Sequence, residues 1–170
     1  DPGDAASMEN ARLVRWALSM AIDRQKIVDT VLGGFGETAY VASNITPDRP
    51  EFNEEWRVPY DIAGAKQKLI DAGYPEGFEI TLWSACNLPA IWDCEIADAI
   101  GEMWITNLGL DVTIDHADYA VRRPESVDKT MNTPWLHGIG WLPGQSIANF
   151  YCAHPGHLGG VTLPDDICAT

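Results

Sequence analysis

The sequence predicts an α/β fold in which a mostly parallel sheet is flanked by helices. Residues 78–83 and 110–116 alternate apolar and polar side chains, as half-buried strands do, and a helical apolar period occupies 93–108 between them. Strand, long helix and strand in this order form a βαβ unit, whose right-handed crossover makes the two strands parallel. We therefore expect both strands in one sheet, with the 93–108 helix covering one face.

Capping residues indicate where the helices begin and end. A side chain that can accept hydrogen bonds from the free N–H groups of a first turn begins each of four predicted helices, at Asn10, Asp23, Asp61 and Asp93. Glycine enters the left-handed conformation without steric cost and ends three of them, at Gly33, Gly73 and Gly109. The first seven residues are typical of a linker or a cut end.

The remaining segments are less regular. Residues 35–59 contain three prolines and no sustained period, so we expect a long loop that Phe52 and Trp56 anchor by packing. Farther along, a helix is expected to start near Pro124 or to be broken there. The segment 135–141 predicts a further strand, and a loop-rich end follows it.

Composition restricts the class of protein. A chain of 170 residues, of which 46% are hydrophobic, can build a core, and we expect 1–170 to form a single domain. The net charge of −14 argues against a nucleic acid or an anionic membrane surface as partner, because phosphate would be repelled. No stretch approaches the ~20 apolar residues of a transmembrane helix, and no basic-then-apolar targeting signal begins the sequence.

Segment 71–78, which reads Asp-Ala-Gly-Tyr-Pro-Glu-Gly-Phe, resembles the family 5 extracellular solute-binding proteins. The strand after it and the helix end at Leu108-Gly109 fit the same family, and the resemblance extends upstream to 12–24 and 30–36. It covers most of the chain and weakens after residue 118. Members of this family are the peptide-, nickel- and oligosaccharide-binding proteins of ABC importers.

This resemblance implies a type II, periplasmic-binding-protein-like lobe, and a chain that is mainly a fragment of the C-terminal lobe of a two-lobed protein. Its expected task is the non-covalent capture of a small solute in the interlobe cleft, with no cofactor and no catalysis. The implied partners are that solute, an ABC permease in the membrane and the missing N-terminal lobe of the same chain. The implied location is periplasmic or extracytoplasmic, with a membrane-anchored lipoprotein as one form.

Four cysteines allow three pairings, and their spacings do not match a zinc finger or ribbon. Proximity favours two local disulfides, Cys86–Cys94 and Cys152–Cys168, each closing a loop in an oxidising compartment. The resemblance supports the second bridge, since some dipeptide-binding relatives carry a cysteine pair near that location. The alternative is four free, buried thiols in a cytosolic protein.

Enzyme motifs are poorly represented in the sequence. It contains no Gly-x-Ser-x-Gly elbow, no His-Glu-x-x-His pair and no phosphate loop. Cys152, His154 and His157 form a metal-like cluster, because thiolate and imidazole suit zinc, copper or nickel. A metal-dependent enzyme built on this cluster is the alternative function, and a non-binding structural module is a third. His116 and His137 are expected to be strand residues with satisfied hydrogen bonds rather than ligands.

The predicted ligand contacts follow two strands that end in tryptophan. In a parallel sheet, the loops after these tryptophans lie at the carboxyl ends of the strands, where open α/β sheets bind ligands. Tryptophan faces also stack on sugar rings and peptide groups. The predicted contacts are Trp83, Asn87, Leu88, Trp141, Gln145 and Asn149.

Departures from the dipeptide-binding relatives indicate the class of solute. The resemblance implies an Arg near Leu88 that pairs with a ligand carboxylate, and an Asp soon after Trp141 that pairs with a ligand amine. Neither charge is present, because 85–89 and 142–150 contain no charged residue. An unpaired charge is costly to bury. A neutral or weakly charged solute, peptide-like or an oligosaccharide, is therefore expected.

Overall fold

A computed structural model of the chain describes residues 4–41, 45–86, 92–128 and 130–136. Five α-helices, three strands and a single 3₁₀ turn lie in these ranges. In chain order they are α1 (Ala5–Met20), α2 (Arg24–Thr30), the 3₁₀ turn (Glu54–Trp56), α3 (Ile62–Asp71), β1 (Glu79–Ser84), α4 (Asp93–Leu108), β2 (Asp111–Asp115), α5 (Tyr119–Val127) and β3 (Trp135–Leu136). None of the described helices has the length and apolar character needed to cross a membrane.

The three strands form one parallel sheet in the order β2-β1-β3. Glu79 lies opposite Asp111 at the start of the β1–β2 pair, and Trp83 lies opposite Asp115 at its end. On its other side β1 pairs with β3, where Trp83 is opposite Trp135. Helix α4 packs against both β1 and β2. The predicted βαβ unit is therefore confirmed, with the 93–108 helix on one face of a parallel pair.

The core lies where α1, α3, α4 and the sheet meet. Ala17 on α1 and Ala65 on α3 are both fully buried, and small side chains of this kind let the two helices approach closely. Leucines and a tryptophan fill the space between the helices and the sheet. The buried core residues on these elements include Leu18, Leu69, Leu82, Ala97, Trp104 and Leu108.

Two side chains of α4 bind backbone carbonyls at the end of α1. Trp104 Nε1 donates to the carbonyl of Leu18 at 2.9 Å, and Asn107 Nδ2 donates to the carbonyl of Ala21 at 2.9 Å. The last carbonyls of a helix have no partner within the helix, so these bonds satisfy groups that burial would otherwise leave unpaired.

Two of the predicted helix caps are present in the structure, and the predicted start of the first helix is not. Asp23 accepts from Lys26 N at 3.0 Å and Asp61 accepts from Gly64 N at 2.9 Å, as predicted. The predicted start at Asn10 is wrong: Asp4 caps α1, accepting from Ser7 N at 3.0 Å. A carboxylate cap farther upstream adds more than a turn to the helix and places residues expected to be linker inside it.

Two further boundaries differ from the prediction. Trp92 is the N-cap of α4, and Asp93 is its first helical residue, so Asp93 does not cap the helix as expected. Helix α5 begins at Tyr119 rather than near Pro124, because Asp118 caps it by accepting from Ala120 N at 2.8 Å. Pro124 lies inside this helix, where it removes one donor without ending it.

The loop between α2 and α3 is anchored by aromatic rings, as predicted. The ring of Phe52 lies 6.1 Å from that of Tyr40 and 5.9 Å from that of Trp56. The Arg57 guanidinium lies over both Tyr40 and Phe52, 5.4 and 5.3 Å from the two ring centroids. Contacts of this type hold the loop in place, where the 3₁₀ turn is its regular element among the described residues.

Candidate binding edge and a cysteine–histidine cluster

The carboxyl ends of β1, β2 and β3 lie side by side because all three strands run in the same direction. We call this boundary of the sheet the carboxyl edge, and define it by Ser84, Asp115 and Leu136, the last residues of the strands. The loop after β1, which is expected to contact a solute, begins at this edge, and the second expected loop follows Trp141, outside the described residues. The carboxyl edge is therefore the part of the fold to which the candidate site belongs.

Trp83 lies directly beneath the carboxyl edge and is completely buried. Its ring is stacked 4.8 Å from that of Trp135 and 6.4 Å from that of Tyr119, measured between centroids. Its indole N–H donates to the carbonyl of Ala117 at 2.8 Å. Because Trp83 is buried and stacked and its N–H is bonded, neither face of its ring is open to solvent. Trp83 therefore supports the fold beneath the edge.

A charged network closes the side of this stack. The Arg122 guanidinium lies 5.7 Å from the Trp83 ring centroid, binds the carboxylate of Asp115 and donates to Glu125 Oε2 at 2.8 Å. Partial burial alone would lower the pKa of Arg122, but the hydrogen bonds to the two carboxylates outweigh it and raise the pKa above its ordinary value. Arg122 is therefore a paired cation that braces the edge.

The first residues beyond the carboxyl edge include a disulfide between Cys86 and Cys94, whose Cα atoms are 5.1 Å apart. This predicted pairing is present in the structure. His116 Nδ1 lies 3.2 Å from Cys86 Sγ and 3.3 Å from Cys94 Sγ, while its Nε2 lies 3.0 Å from Asp98 Oδ1. The sequence predicts that His116 is a strand residue with satisfied hydrogen bonds rather than a ligand. His116 instead lies just past β2 and faces both sulfurs.

The βαβ connection explains why these four side chains meet. Cys86 follows β1, His116 follows β2, and Cys94 occupies the first turn of the helix that joins the two strands. Asp98 is four residues after Cys94 and so lies on the same face of α4. Cys86 has φ +50°, a left-handed conformation that is uncommon for a residue with a side chain. The sequence contains a signal for this meeting, because Cys86 and His116 follow the two strands of one βαβ unit and Cys94 lies in the first turn of its helix.

A groove of about 770 Å³ lies away from this edge, between α1 and the beginning of β1. Val14, Leu18, Phe78 and Ile80 are among the residues that line it. Position argues against it as the solute site, because ligands of open parallel sheets bind beyond the carboxyl ends of the strands.

Most of the predicted site residues lie outside the described ranges. Trp83 is described and buried, as above. Of strand 135–141, the structure describes β3 at its start. The residues outside the described ranges are Asn87, Leu88, Trp141, Gln145, Asn149, Cys152, His154, His157 and Cys168. The predicted contacts among them, the second disulfide and the alternative metal cluster therefore stay predictions.

Comparison with known proteins identifies the family. A family model described as "Bacterial extracellular solute-binding proteins, family 5 Middle" matches residues 6–153, which is most of the chain. The chain belongs to this family. The resemblance found in 12–24, 30–36 and 71–78 is thereby confirmed. An enzyme built on the cysteine and histidine residues near the end of the chain gains no support from a family of binding proteins.

Individual family 5 relatives match shorter segments. The glutathione-binding protein GsiB of Salmonella typhimurium is 40% identical over 75 residues, which are 44% of this chain and 14% of that protein. Di/tripeptide-binding protein 1 of Pseudomonas aeruginosa is 42% identical over 72 residues, which are 42% of this chain and 13% of that protein. The match therefore spans about a seventh of the length of these curated relatives.

The fold agrees with solved structures of binding proteins. The Escherichia coli murein tripeptide binding protein MppA superposes with a TM-score of 0.71 over 96% of this chain and 33% of that one, at 24% identity. At this identity the likeness shows the fold alone. It confirms the type II periplasmic-binding-protein architecture, with a small parallel sheet and flanking helices.

Proposed function

We propose that this chain is part of the C-terminal lobe of a protein that captures a small, peptide-like solute outside the cytoplasm and delivers it to an ABC permease. The observation that carries the proposal is the match of residues 6–153 to a family of extracellular solute-binding proteins. An N-terminal lobe of the same protein would supply the other wall of the cleft. Residues 1–170 would then act as a single unit of that larger protein.

The parallel sheet supports the carboxyl edge as the solute-facing side of this lobe. Its three strands present their ends together, and the predicted binding loop that contains Asn87 and Leu88 follows β1. The other predicted loop follows Trp141, outside the described residues. We place Asn87, Leu88, Trp141, Gln145 and Asn149 in those loops as the contacts. Trp83, being buried, holds the edge in position from beneath while the residues after it reach the solute.

Relatives support a peptide-like solute over an oligosaccharide. The names of the two curated relatives above include glutathione in one case and di- and tripeptides in the other. A peptide offers backbone donors and acceptors that amide side chains such as Asn87, Gln145 and Asn149 can pair with. The segments 85–89 and 142–150 contain no charge, so the proposed solute is a peptide whose terminal charges are blocked or lie outside the site.

The solute class can be tested by calorimetry on the complete protein that contains this chain. Short peptides with free termini would be compared with the same peptides acetylated and amidated at their ends. The proposal predicts tighter binding of the blocked peptides, because the site offers no partner for a buried ammonium or carboxylate. Tighter binding of the free peptides, or binding of oligosaccharides alone, would overturn the proposed solute class.

The proposed contacts can be tested by two substitutions and one matched control. Trp141→Ala should weaken peptide affinity about thirtyfold, as loss of an aromatic anchor does, and Gln145→Ala should weaken it less. Gln67→Ala makes the same change on the outer face of α3, where Gln67 Nε2 binds Asp71 at 2.8 Å, and should leave affinity unchanged. Melting temperatures measured in parallel separate lost contacts from lost stability. Unchanged affinity in both edge variants would contradict the placement.

A further inference from the structure

The structure brings Cys86, Cys94 and His116 together, and Asp98 contacts the other ring nitrogen of the histidine. The proposed capture of a solute does not use this cluster. The two sulfur atoms and a ring nitrogen of His116 all lie within 4.8 Å of one another. We propose that, once the Cys86–Cys94 disulfide is reduced, the two thiolates and His116 Nδ1 bind a thiophilic divalent cation of the zinc type. Oxidation of the two thiolates to the disulfide removes two of the three ligands and so abolishes this metal site.

The first argument is distance. A tetrahedral zinc ion, with bonds of about 2.3 Å to sulfur and about 2.0 Å to nitrogen, holds its sulfur and nitrogen ligands about 3.6 Å apart. His116 Nδ1 already lies 3.2 and 3.3 Å from the two sulfurs. When the disulfide opens, the sulfurs need to separate to about 3.8 Å to complete the triangle of ligands. A small movement of two side chains therefore converts the bridge into a three-ligand site.

The second argument is the orientation of the imidazole. The Asp98 carboxylate can only accept a hydrogen bond, so the nitrogen facing it at 3.0 Å, His116 Nε2, carries the hydrogen. In the neutral ring, Nδ1 then presents its lone pair to the sulfurs. A disulfide has no proton to donate to this lone pair, whereas a metal ion accepts it. A carboxylate behind a histidine is the arrangement that orients metal-binding histidines in general.

Charge and exposure also favour a cation. Two thiolates and the nearby Asp98 carboxylate attract a divalent ion, and the chain carries a net charge of −14. Cys94 lies in the first turn of α4, where the helix dipole stabilises a negatively charged sulfur. Both cysteines are half-buried and His116 is exposed, so the ion can enter from solvent. Three protein ligands leave a fourth position for water, the arrangement that open zinc sites have.

The chemistry balances with an external dithiol as the reductant. The disulfide accepts two electrons and two protons from the dithiol, which itself becomes a disulfide, and Cys86 and Cys94 become thiols. Binding of the divalent ion then releases these two protons, because both sulfurs coordinate as thiolates. In the reverse direction an external disulfide is the oxidant: it takes two electrons from the thiolates and two protons from solvent to become a dithiol, the Cys86–Cys94 bridge forms again, and the metal ion leaves. The metal site does not depend on the proposed solute, so a failure of peptide binding would not contradict it.

Cobalt(II) provides a direct test, because its bonds to thiolate sulfur give an intense charge-transfer absorption. The complete protein would be reduced, separated from reductant without air, and titrated with Co²⁺ and then with Zn²⁺. We expect one Co²⁺ per chain with thiolate absorption in the reduced protein, displacement by Zn²⁺, and no such absorption in the oxidised protein. Asp98→Asn should weaken Zn²⁺ binding about 10- to 100-fold while the absorption persists.

Matched variants separate this cluster from the other cysteines and histidines of the chain. His116→Ala and Cys94→Ser should abolish the absorption, whereas His154→Ala, the same change in the other cysteine–histidine segment, should leave it intact. Absorption that survives His116→Ala but is lost in His154→Ala would overturn the proposal. The absence of Co²⁺ binding to reduced protein whose circular dichroism matches that of the oxidised protein would also overturn it. So would loss of folding on reduction, because the site requires the folded chain.

Discussion

The two ends of β1 have different surroundings. At the amino end Glu79 is exposed, and Ile80 and Thr81 are half-buried, so one face of the strand is open. At the carboxyl end Leu82, Trp83 and Ser84 are all buried, with at most 3% of each residue exposed. One strand thus begins as a partly open surface and ends inside the protein.

Neighbours that are distant in sequence cause this difference. In the described part of the chain β3 pairs with β1 at Trp83 and Ser84, and Tyr119 and Trp135 stack on the Trp83 ring. Helix α4 covers the other face. The carboxyl end of the sheet is therefore both tightly packed and adjacent to the candidate sites, whereas the amino end of β1 is partly open to solvent. The comparison predicts four effects of decreasing size.

The largest expected effect is that of Trp83→Ala. Removing a fully buried tryptophan leaves a cavity and an unpaired carbonyl at Ala117, and should lower the free energy of unfolding by about 3–5 kcal/mol. Urea denaturation monitored by circular dichroism measures this loss. Glu79→Ala on the same strand is the control and should change stability by no more than about 0.5 kcal/mol. Similar losses in both variants would mean that the two ends do not differ as described.

The disulfide beyond the carboxyl edge should give the next largest effect. Replacing both Cys86 and Cys94 by Ser opens a short loop in the unfolded state, which should cost about 2–3 kcal/mol under oxidising conditions. The same denaturation measured with reductant provides the control. There the variant and the unaltered protein should have nearly equal stability, because neither has the bridge. A difference that persists in reductant would assign the effect to side-chain packing instead.

Gly77→Ala tests the turn that leads into the amino end. Gly77 has φ +79°, and a Cβ there would lie 2.9 Å from the carbonyl oxygen of Gly109. Backbone strain and this clash together should destabilise the protein by about 2 kcal/mol. Gly109→Ala separates the two causes: Gly109 has φ +71° but nothing within 4 Å of a Cβ, so strain alone should cost about 1 kcal/mol. Equal losses in thermal or urea unfolding would contradict the clash.

The smallest predicted effect is a gain in stability. Glu79 and Asp111 are direct partners across β1 and β2, and like charges in such a pair repel. Glu79→Lys replaces repulsion by attraction and should stabilise the protein by about 0.2–1 kcal/mol, while Glu79→Gln should gain less. Because salt screens exposed charges, the gain should shrink at about 1 M salt. A stabilisation that is independent of salt would show that charge is not its cause.

Local signals in the sequence predicted the central part of the fold. Asp23 and Asp61 cap their helices, Gly73 and Gly109 adopt positive φ, and the alternation in β1 and β2 placed both strands. These features depend on residues within one turn or one strand of each other. The start of α1 was missed because Asp4 and Asn10 are both suitable caps, and the choice between them depends on the packing of the whole helix.

The candidate site was less predictable, because its residues meet only through tertiary structure. Alternation predicted one open face for Trp83, yet β3 and α5, which follow it by more than thirty residues, cover that face. Cys86–Cys94 was predicted from proximity alone. Strand alternation over 110–116 predicts His116 as a strand residue, whereas the βαβ unit brings it to two sulfurs that are distant from it in the sequence.

The bonds from Trp104 and Asn107 to the end of α1 have a consequence for motion. Each donor reaches a carbonyl 86 residues away in the chain, so sliding α1 along α4 would break two hydrogen bonds and leave a buried indole N–H unpaired. The amide hydrogens of these two helices should accordingly exchange as one cooperative block. If the complete protein closes on its solute by a hinge, α1, α4 and the strands beneath them must travel together as a rigid body, and the bending must take place in segments outside that body.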